Sequence, residues 1–498
     1  MGKFLKVLIS IIIAILVIAI GVIAWGHYYR TSYEFDAPRS IVRDDGGNTI
    51  IAQGKALYDE NGDIFEIRGV NFGNLFIAEG WMTVNSVGAK LNEDKSFAKV
   101  NEDGIIEEYE EIYQEEMDDI LARRFTDEEI EALNDAYFYS YCTEQDFINI
   151  KEIGFNTIRL PMYYRNFLST YDRYRLTDEE LCEKINFSTY NFDFEKLDWF
   201  LEMAEKYDLK VIIDMHGVMG GQSGFEHCGT RDIDFWDNAD YIEFMCNLWA
   251  VIGDRYSADG ERSDLAPTVL AYDLVNEPTN RNEVGTGPKQ WRVMNEMYKA
   301  IREVDEEHVI SIEGVWFFLS LPSPDKYDWE NVLYQYHIYN WDWLGVPNWL
   351  YYDFMYAQLS VSDFDVPKFV GEFNFFGDDD AWQEYLDVYD QTGLGWTIWS
   401  YKIVSVGWWD TSWGMCVNRL NLDNKGVENQ ADFRQKLDLR YASYEEIYEV
   451  WANQHTDTTP DVIEEEEGRY GVYRFNDDSQ TVRNIKKYFE RLNAEKDQ

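Results

Sequence analysis

Along this chain, short apolar runs alternate with longer stretches whose apolar positions recur at the helical period. That alternation predicts βα units and a parallel sheet. Eight runs read as strands, in order: 67–72, 157–160, 211–215, 269–275, 309–313, 333–337, 369–372 and 396–400. Helices fall between most of them. Thr143-Glu144-Gln145-Asp146 has the form of a capping box, and Gly154 stops the helix it starts. Asp193 caps a second, with Phe194, Leu197, Phe200, Leu201 and Ala204 on one face. Pro288 opens a third that runs to about residue 304, and a fourth covers roughly 380–390. Ahead of the first strand, Asn61-Gly62 between two apolar runs predicts a two-residue hairpin turn.

Eight strands with helical crossovers are what a (β/α)8, or TIM, barrel needs, so the predicted class is α/β. Residues 78–141 exceed one loop. Acidic residues crowd around 107–119, while Tyr109, Ile112, Tyr113, Met117 and Ile120 recur at helical spacing. This predicts a helical insertion after the first strand. Glu464 to Glu467 read as a solvated loop, and Val482, Ile485, Phe489 and Leu492 predict a closing helix.

The N-terminus follows another rule. Residues 5–25 are nearly all apolar, about 30 Å as a helix, which matches the hydrocarbon thickness of a bilayer. Lys3 and Lys6 at its start predict an N-in, C-out signal-anchor. The segment ends in Trp25-Gly26-His27-Tyr28-Tyr29, which suits an interfacial belt better than a peptidase site. The expected organisation is a cytoplasmic N-terminus at 1–4, a membrane span at 5–25, a stalk at 26–49 and one exported catalytic domain at 50–498. Secretion after cleavage is the alternative.

A formal charge of −49 makes nucleic acid an unsuitable partner, and most of this charge reads as solvated surface. Five cysteines at irregular spacing, with no CxxC pair, predict mostly free, buried thiols. Eighteen Trp and 35 Tyr suit sugar rings, which present both apolar and polar faces.

In a barrel of this kind the carboxyl ends of the strands face the active site. The fourth strand ends Asn276-Glu277-Pro278 and the seventh Gly371-Glu372-Phe373. A carboxylate closing an apolar run is costly unless it is used or paired, and two facing carboxylates are what glycoside hydrolysis needs. Arg159 and Tyr339 are placed to hydrogen-bond Glu372. His216, Asn276 and His337 are placed to bond sugar hydroxyls or tune the carboxyls, and Trp399 to floor the ring. Each alone has a plainer structural reading; their joint placement at strand ends shifts the balance.

Asn156-Thr157-Ile158-Arg159-Leu160-Pro161, Asp214-Met215-His216-Gly217, Asn276-Glu277-Pro278, His337-Ile338-Tyr339, Gly371-Glu372-Phe373 and Trp396-Thr397-Ile398-Trp399 together resemble glycoside hydrolase family 5. The likeness covers roughly residues 50–490. It implies a retaining double displacement with Glu277 as acid/base and Glu372 as nucleophile, supported by Arg159, His216, Asn276, His337, Tyr339 and Trp399, without metal or cofactor. The loop His216 to Gly224 is similar to that of the family's exo-β-1,3-glucanases, whose first-strand loop makes Glu79 a further substrate-binding candidate. A β-glucan or β-linked oligosaccharide is the expected substrate. A mannan or a glycolipid glycan is the alternative, and oligomeric state stays open. A carbohydrate-binding protein without turnover would leave one glutamate unpaired or the site blocked. An aldolase or metal-dependent barrel enzyme would need a Schiff-base lysine or a His/Asp cluster, and among six histidines no HxH or HExxH spacing occurs.

Overall fold

The structure is a computed structural model. It describes residues 2–43, 46–92, 95–96, 98, 108–279, 285–341, 345–405, 413–419, 436–457, 473–475 and 479–496. The loop expected at Glu464 to Glu467, and Glu107 of the acidic stretch, lie outside the described residues.

Eight parallel strands close into a barrel in chain order: Arg68–Asn71, Thr157–Tyr163, Lys210–Gly217, Val269–Asp273, Val309–Glu313, Val332–Ile338, Lys368–Phe373 and Leu394–Ile398. Closure comes from the eighth strand on the first, Trp396 opposite Arg68. All eight lie where the apolar runs predicted, because strands covered on both faces must be apolar almost throughout. Register sets the polar groups at the top: Asn71 lies opposite Arg159, Asp214 opposite Asp273, Gln335 opposite Glu313 and His337 opposite Glu372.

The helix Glu144–Ile153 has Thr143 and Asp146 in the capping-box arrangement. It stops at Gly154, whose φ is +116° and where a Cβ would lie 2.8 Å from the Phe489 ring. Only glycine meets both conditions. Phe489 belongs to the closing helix, Gln480–Lys496. Asp193 accepts from the Glu195 N–H at 3.0 Å at the head of Glu195–Lys206. All five thiols are free, three of them buried.

Three expectations are corrected. The N-terminal hairpin pairs Tyr58 with Ile64, so its loop spans 59–63. Asp59 Oδ1 accepts from both Asn61 N and Asp63 N at 2.9 Å and holds this wider turn. Leu57 from the hairpin packs with Ile67, Ile212 and Phe369. Among the described residues the insertion is helical from Gln114 onward, as Gln114–Arg124 and Asp127–Tyr141. Glu116 accepts from the Tyr113 N–H and fixes that start, while Tyr109 is drawn into a bridge with Ala89. Third, residues 26–49 are not simply a stalk. The N-terminal helix runs Gly2–Ser32 and packs on the barrel helix Asn348–Leu359. Trp25 Nε1 donates to Ser360 Oγ at 2.8 Å, and Arg30 Nε to the buried Asp353 Oδ1 at 2.9 Å. Gly26 sits so close that a Cβ would lie 1.7 Å from the Asp353 carbonyl oxygen.

Candidate active site

Beyond the fourth strand the chain stays knitted to its neighbours: Leu274 N bonds Ser311 O and Asn276 N bonds Met215 O. Glu277 then takes φ of +40°. For a residue with a side chain, left-handed backbone costs roughly 1–2 kcal/mol. The turn points its N–H at Glu313 Oε2, 2.9 Å away. Glu372 ends the seventh strand beside His337 on the sixth.

Arg159 gathers the strand ends. Fully buried, it donates from Nε to Asp273 Oδ2 (2.9 Å), from Nη1 to Asn71 Oδ1 and Glu372 Oε1 (both 3.1 Å), and from Nη2 to Asn276 Oδ1 (2.8 Å). Nη2 also lies 3.1 Å from Asp214 Oδ1. Burial alone would favour loss of its proton, but Asp214, Asp273 and Glu372 outweigh that and hold the guanidinium charged. Burial lifts Asp273 to about 6 against the pull of Arg159.

Glu372 Oε2 accepts from the Tyr339 hydroxyl at 3.1 Å. Burial pushes its carboxyl up to about 8; Arg159 and His216 oppose this, and Glu277 adds to it. Glu277 Oε1 lies 2.9 Å from His337 Nδ1, and Oε2 lies 3.4 Å from His227 Nε2. Burial drives both histidines toward the neutral form, His227 down to about 4 and His337 well below its ordinary value, where Arg159 helps. His337 Nε2 faces Glu313 Oε1 at 3.5 Å, and neither atom has another hydrogen-bond partner among the described residues. Burial, with Asp273 adding, raises Glu313 well above the carboxylate range. A proton on Glu313 facing Nε2 leaves the imidazole proton on Nδ1, aimed at Glu277.

One oxygen from each glutamate and His337 Nδ1 all lie within 4.8 Å of one another. At that separation the Glu277 charge disfavours ionisation of Glu372. A cation would fit the same three atoms. Arg159 already supplies positive charge to Glu372.

His216 sits 2.7 Å from Asp214 Oδ2 by Nδ1 and stacks on Trp399, with centroids 5.5 Å apart at 11°. Burial disfavours its charge, yet Asp214 raises it to about 10, so it carries a proton. Its Nε2 lies 3.7 Å from Glu79 Oε1, whose other oxygen accepts from Trp81 Nε1 at 2.6 Å. Gln222 Nε2 ties the carbonyls of His216 and Asn276 at 2.7 and 2.9 Å. Trp399 precedes a cis peptide bond to Ser400. Trp81 packs on Trp413 at 5.3 Å, and Trp341 stacks on Tyr339 at 5.2 Å, so indole faces flank the carboxyl pair.

Every residue singled out in the sequence thus converges here: Arg159, His216, Asn276, Glu277, His337, Tyr339, Glu372, Trp399 and, at the edge, Glu79. The sequence did not single out His227, Glu313, Asn71, Glu226 or Lys436. Lys436 donates to the Gly80 carbonyl from the far end of the chain, beside Glu226. Burial and the Glu79 charge raise Glu226 to about 8. Glu226 and His227 come two and three residues after the loop 216–224, and Glu313 ends a predicted strand; that proximity was the available signal.

A family model for cellulase (glycosyl hydrolase family 5) matches residues 123–405. The chain is 30% identical over 237 residues to glucan 1,3-beta-glucosidase 2 of Wickerhamomyces anomalus, covering 46% of this chain and 47% of that protein. It is 24% identical over 405 residues to a glucan 1,3-beta-glucosidase of Schwanniomyces occidentalis, covering 69% and 85%. The chain spans about half the length of the first of these relatives. Among solved structures, a rutinosidase from Aspergillus niger aligns over 70% of this chain and 92% of its own, with 15% identity and a TM-score of 0.48.

Proposed function

The chain belongs to glycosyl hydrolase family 5, and from that premise we propose that it is a retaining β-glycoside hydrolase acting on β-glucans, with Glu277 as acid/base and Glu372 as nucleophile. The observation that carries the reading is the spacing of the two carboxyls, within 4.8 Å by their nearer atoms. An inverting site holds a water between carboxyls roughly 6.5–9.5 Å apart, whereas a retaining site sets them at about 5–5.5 Å.

The two environments support the division of roles. Arg159 and Tyr339 donate to Glu372 and favour its ionised form. Glu277 faces two neutral imidazoles and, among the described residues, has no cationic partner, which suits it to the acid/base role. In the first step Glu277 gives a proton to the glycosidic oxygen while Glu372 attacks the anomeric carbon. The C–O bond to the leaving sugar breaks and a glycosyl ester forms. In the second, Glu277 takes a proton from water, the hydroxide displaces Glu372, and the product keeps the β configuration. Trp399, His216 and Glu79 form the wall that receives the sugar on the non-leaving side. The glucan 1,3-beta-glucosidase names of the relatives, together with the loop 216–224, favour a β-1,3-glucan.

The same proposal includes an uncleaved signal-anchor at residues 5–25 with the barrel outside. The apolar helix supports it, as does the docking of Trp25 and Arg30, which removal of the helix would leave unmade. The experiment is turnover of β-1,3-, β-1,4- and mixed-linkage glucans and of mannan by the full chain in detergent, beside Glu372→Ala, with NMR of the first anomer released. A first product of α configuration, or activity surviving in Glu372→Ala, sinks the assignment. Mannan cleaved ahead of every glucan redirects the substrate.

A further inference from the structure

We infer that one face of the barrel, built from Phe318–Ser320 and the helix Asn348–Leu359, is seated in the outer-leaflet interface of the membrane that the N-terminal helix crosses. This rests on the anchor reading above.

The face is apolar where the rest of the molecule is acidic. In a chain of net charge −49, residues 315–322 and 346–362 contain one charged side chain, Asp353. That carboxylate is buried and taken up by Arg30, with His27 3.3 Å away. Leu319, Trp349, Phe354 and Val361 are 54, 54, 41 and 67% exposed. An exposed cluster of this size on a soluble surface marks an interaction site.

Continuity with the anchor identifies the occupant. A groove of about 750 Å³ is walled on one side by Ile18, Val22 and Trp25 of the helix and on the other by Leu319, Phe354 and Val361. If the span ends near Trp25, Ile18 lies about 10 Å below the interface at 1.5 Å per residue. The barrel side chains at that level are therefore at acyl-chain depth, and interfacial proteins bury apolar faces about 5–10 Å deep. A water-filled groove would hold six apolar side chains against solvent, whereas lipid tails fill it without cost. The absence of exposed carboxylates on these two segments lets this acidic protein approach phospholipid headgroups without repulsion.

Spin labels test this in the full chain reconstituted into phosphatidylcholine vesicles. Cys182 and Cys246 are replaced by alanine, and single cysteines are introduced as Leu319→Cys, Val361→Cys, Ile13→Cys and Tyr441→Cys. All four sites are exposed, and retained turnover checks the fold. Collisions with dissolved oxygen are compared with collisions with a water-soluble nickel chelate. Labels at 319 and 361 are expected to favour oxygen severalfold over the label at 441 and to approach the label at 13. Labels at 319 and 361 that match 441, while 13 reports lipid, overturn the inference and leave the anchor standing. All four reporting water overturns the anchor reading and this inference with it.

Discussion

Replacing Tyr339 by phenylalanine isolates one hydrogen bond at the proposed nucleophile. The ring stays, stacked on Trp341, and only the hydroxyl 3.1 Å from Glu372 Oε2 is lost. A hydrogen bond to an ionised group contributes roughly 1.5–3 kcal/mol, so ionised Glu372 is destabilised by about 1–2 pKa units. The loss raises the Glu372 carboxyl further above its ordinary value. Below pH 8 the ionised nucleophile is already the minor form, so its fraction falls about 10–100-fold. kcat/KM on the best glucan is expected to fall by that factor below pH 8, with the melting temperature little changed. A kcat/KM within twofold of the parent would refute the reasoning. So would a loss that does not shrink as pH rises above 8, where the parent Glu372 is ionised.

Other outcomes follow from the same electrostatics. Glu372 is raised to about 8 from an ordinary 4.5, so its ionisation opposes folding: the parent loses stability as pH rises from about 4.5 to 8. Glu372→Gln, inactive, is expected to melt above the parent at pH 8 and level with it near pH 4; a gap of equal size at both would contradict this. Glu313 accepts from the Glu277 N–H and from Gln335 Nε2 through one oxygen and is held neutral by burial. Glu313→Gln should retain most activity, whereas Glu313→Ala strands two buried donors at roughly 1–3 kcal/mol each; a glutamine variant as impaired as the alanine one would show that its charge matters. Arg30→Ala leaves Asp353 buried without its main partner, a loss of about 3–5 kcal/mol. Its melting temperature should drop and largely recover on adding Asp353→Asn, and no drop at all would mean that the helix does not dock.

The barrel was legible because its strands are buried on both faces and so appear as uninterrupted apolar runs. Glu277 and Glu372 stood out because each breaks such a run at its end. What escaped has no local signature. Glu313 ends a strand as they do, but its partners lie at 277, 335 and 337. His227 sits outside any periodic segment. Lys436 comes from the far end of the chain to two carbonyls after Glu79. The docking of the N-terminal helix was hidden for a similar reason: Gly26 and Arg30 look like the start of a polar linker until Asp353 is placed beside them. The helix start at Gln114 was misjudged by periodicity because Tyr109, Ile112 and Tyr113 are apolar for other reasons, pairing and burial in extended chain.

The left-handed backbone at Glu277 bears on how this protein responds to selection. That torsion, the burial of the Glu313 carboxyl and the raised carboxyl of Glu372 all lie within one small region, and each makes the folded state less favourable. A library screened for heat resistance alone would be drawn there first: glycine at 277 relieves the torsion and glutamine at 372 removes the ionisation. Such winners would be sturdy and inert, so any campaign to harden this chain has to score turnover in the same round.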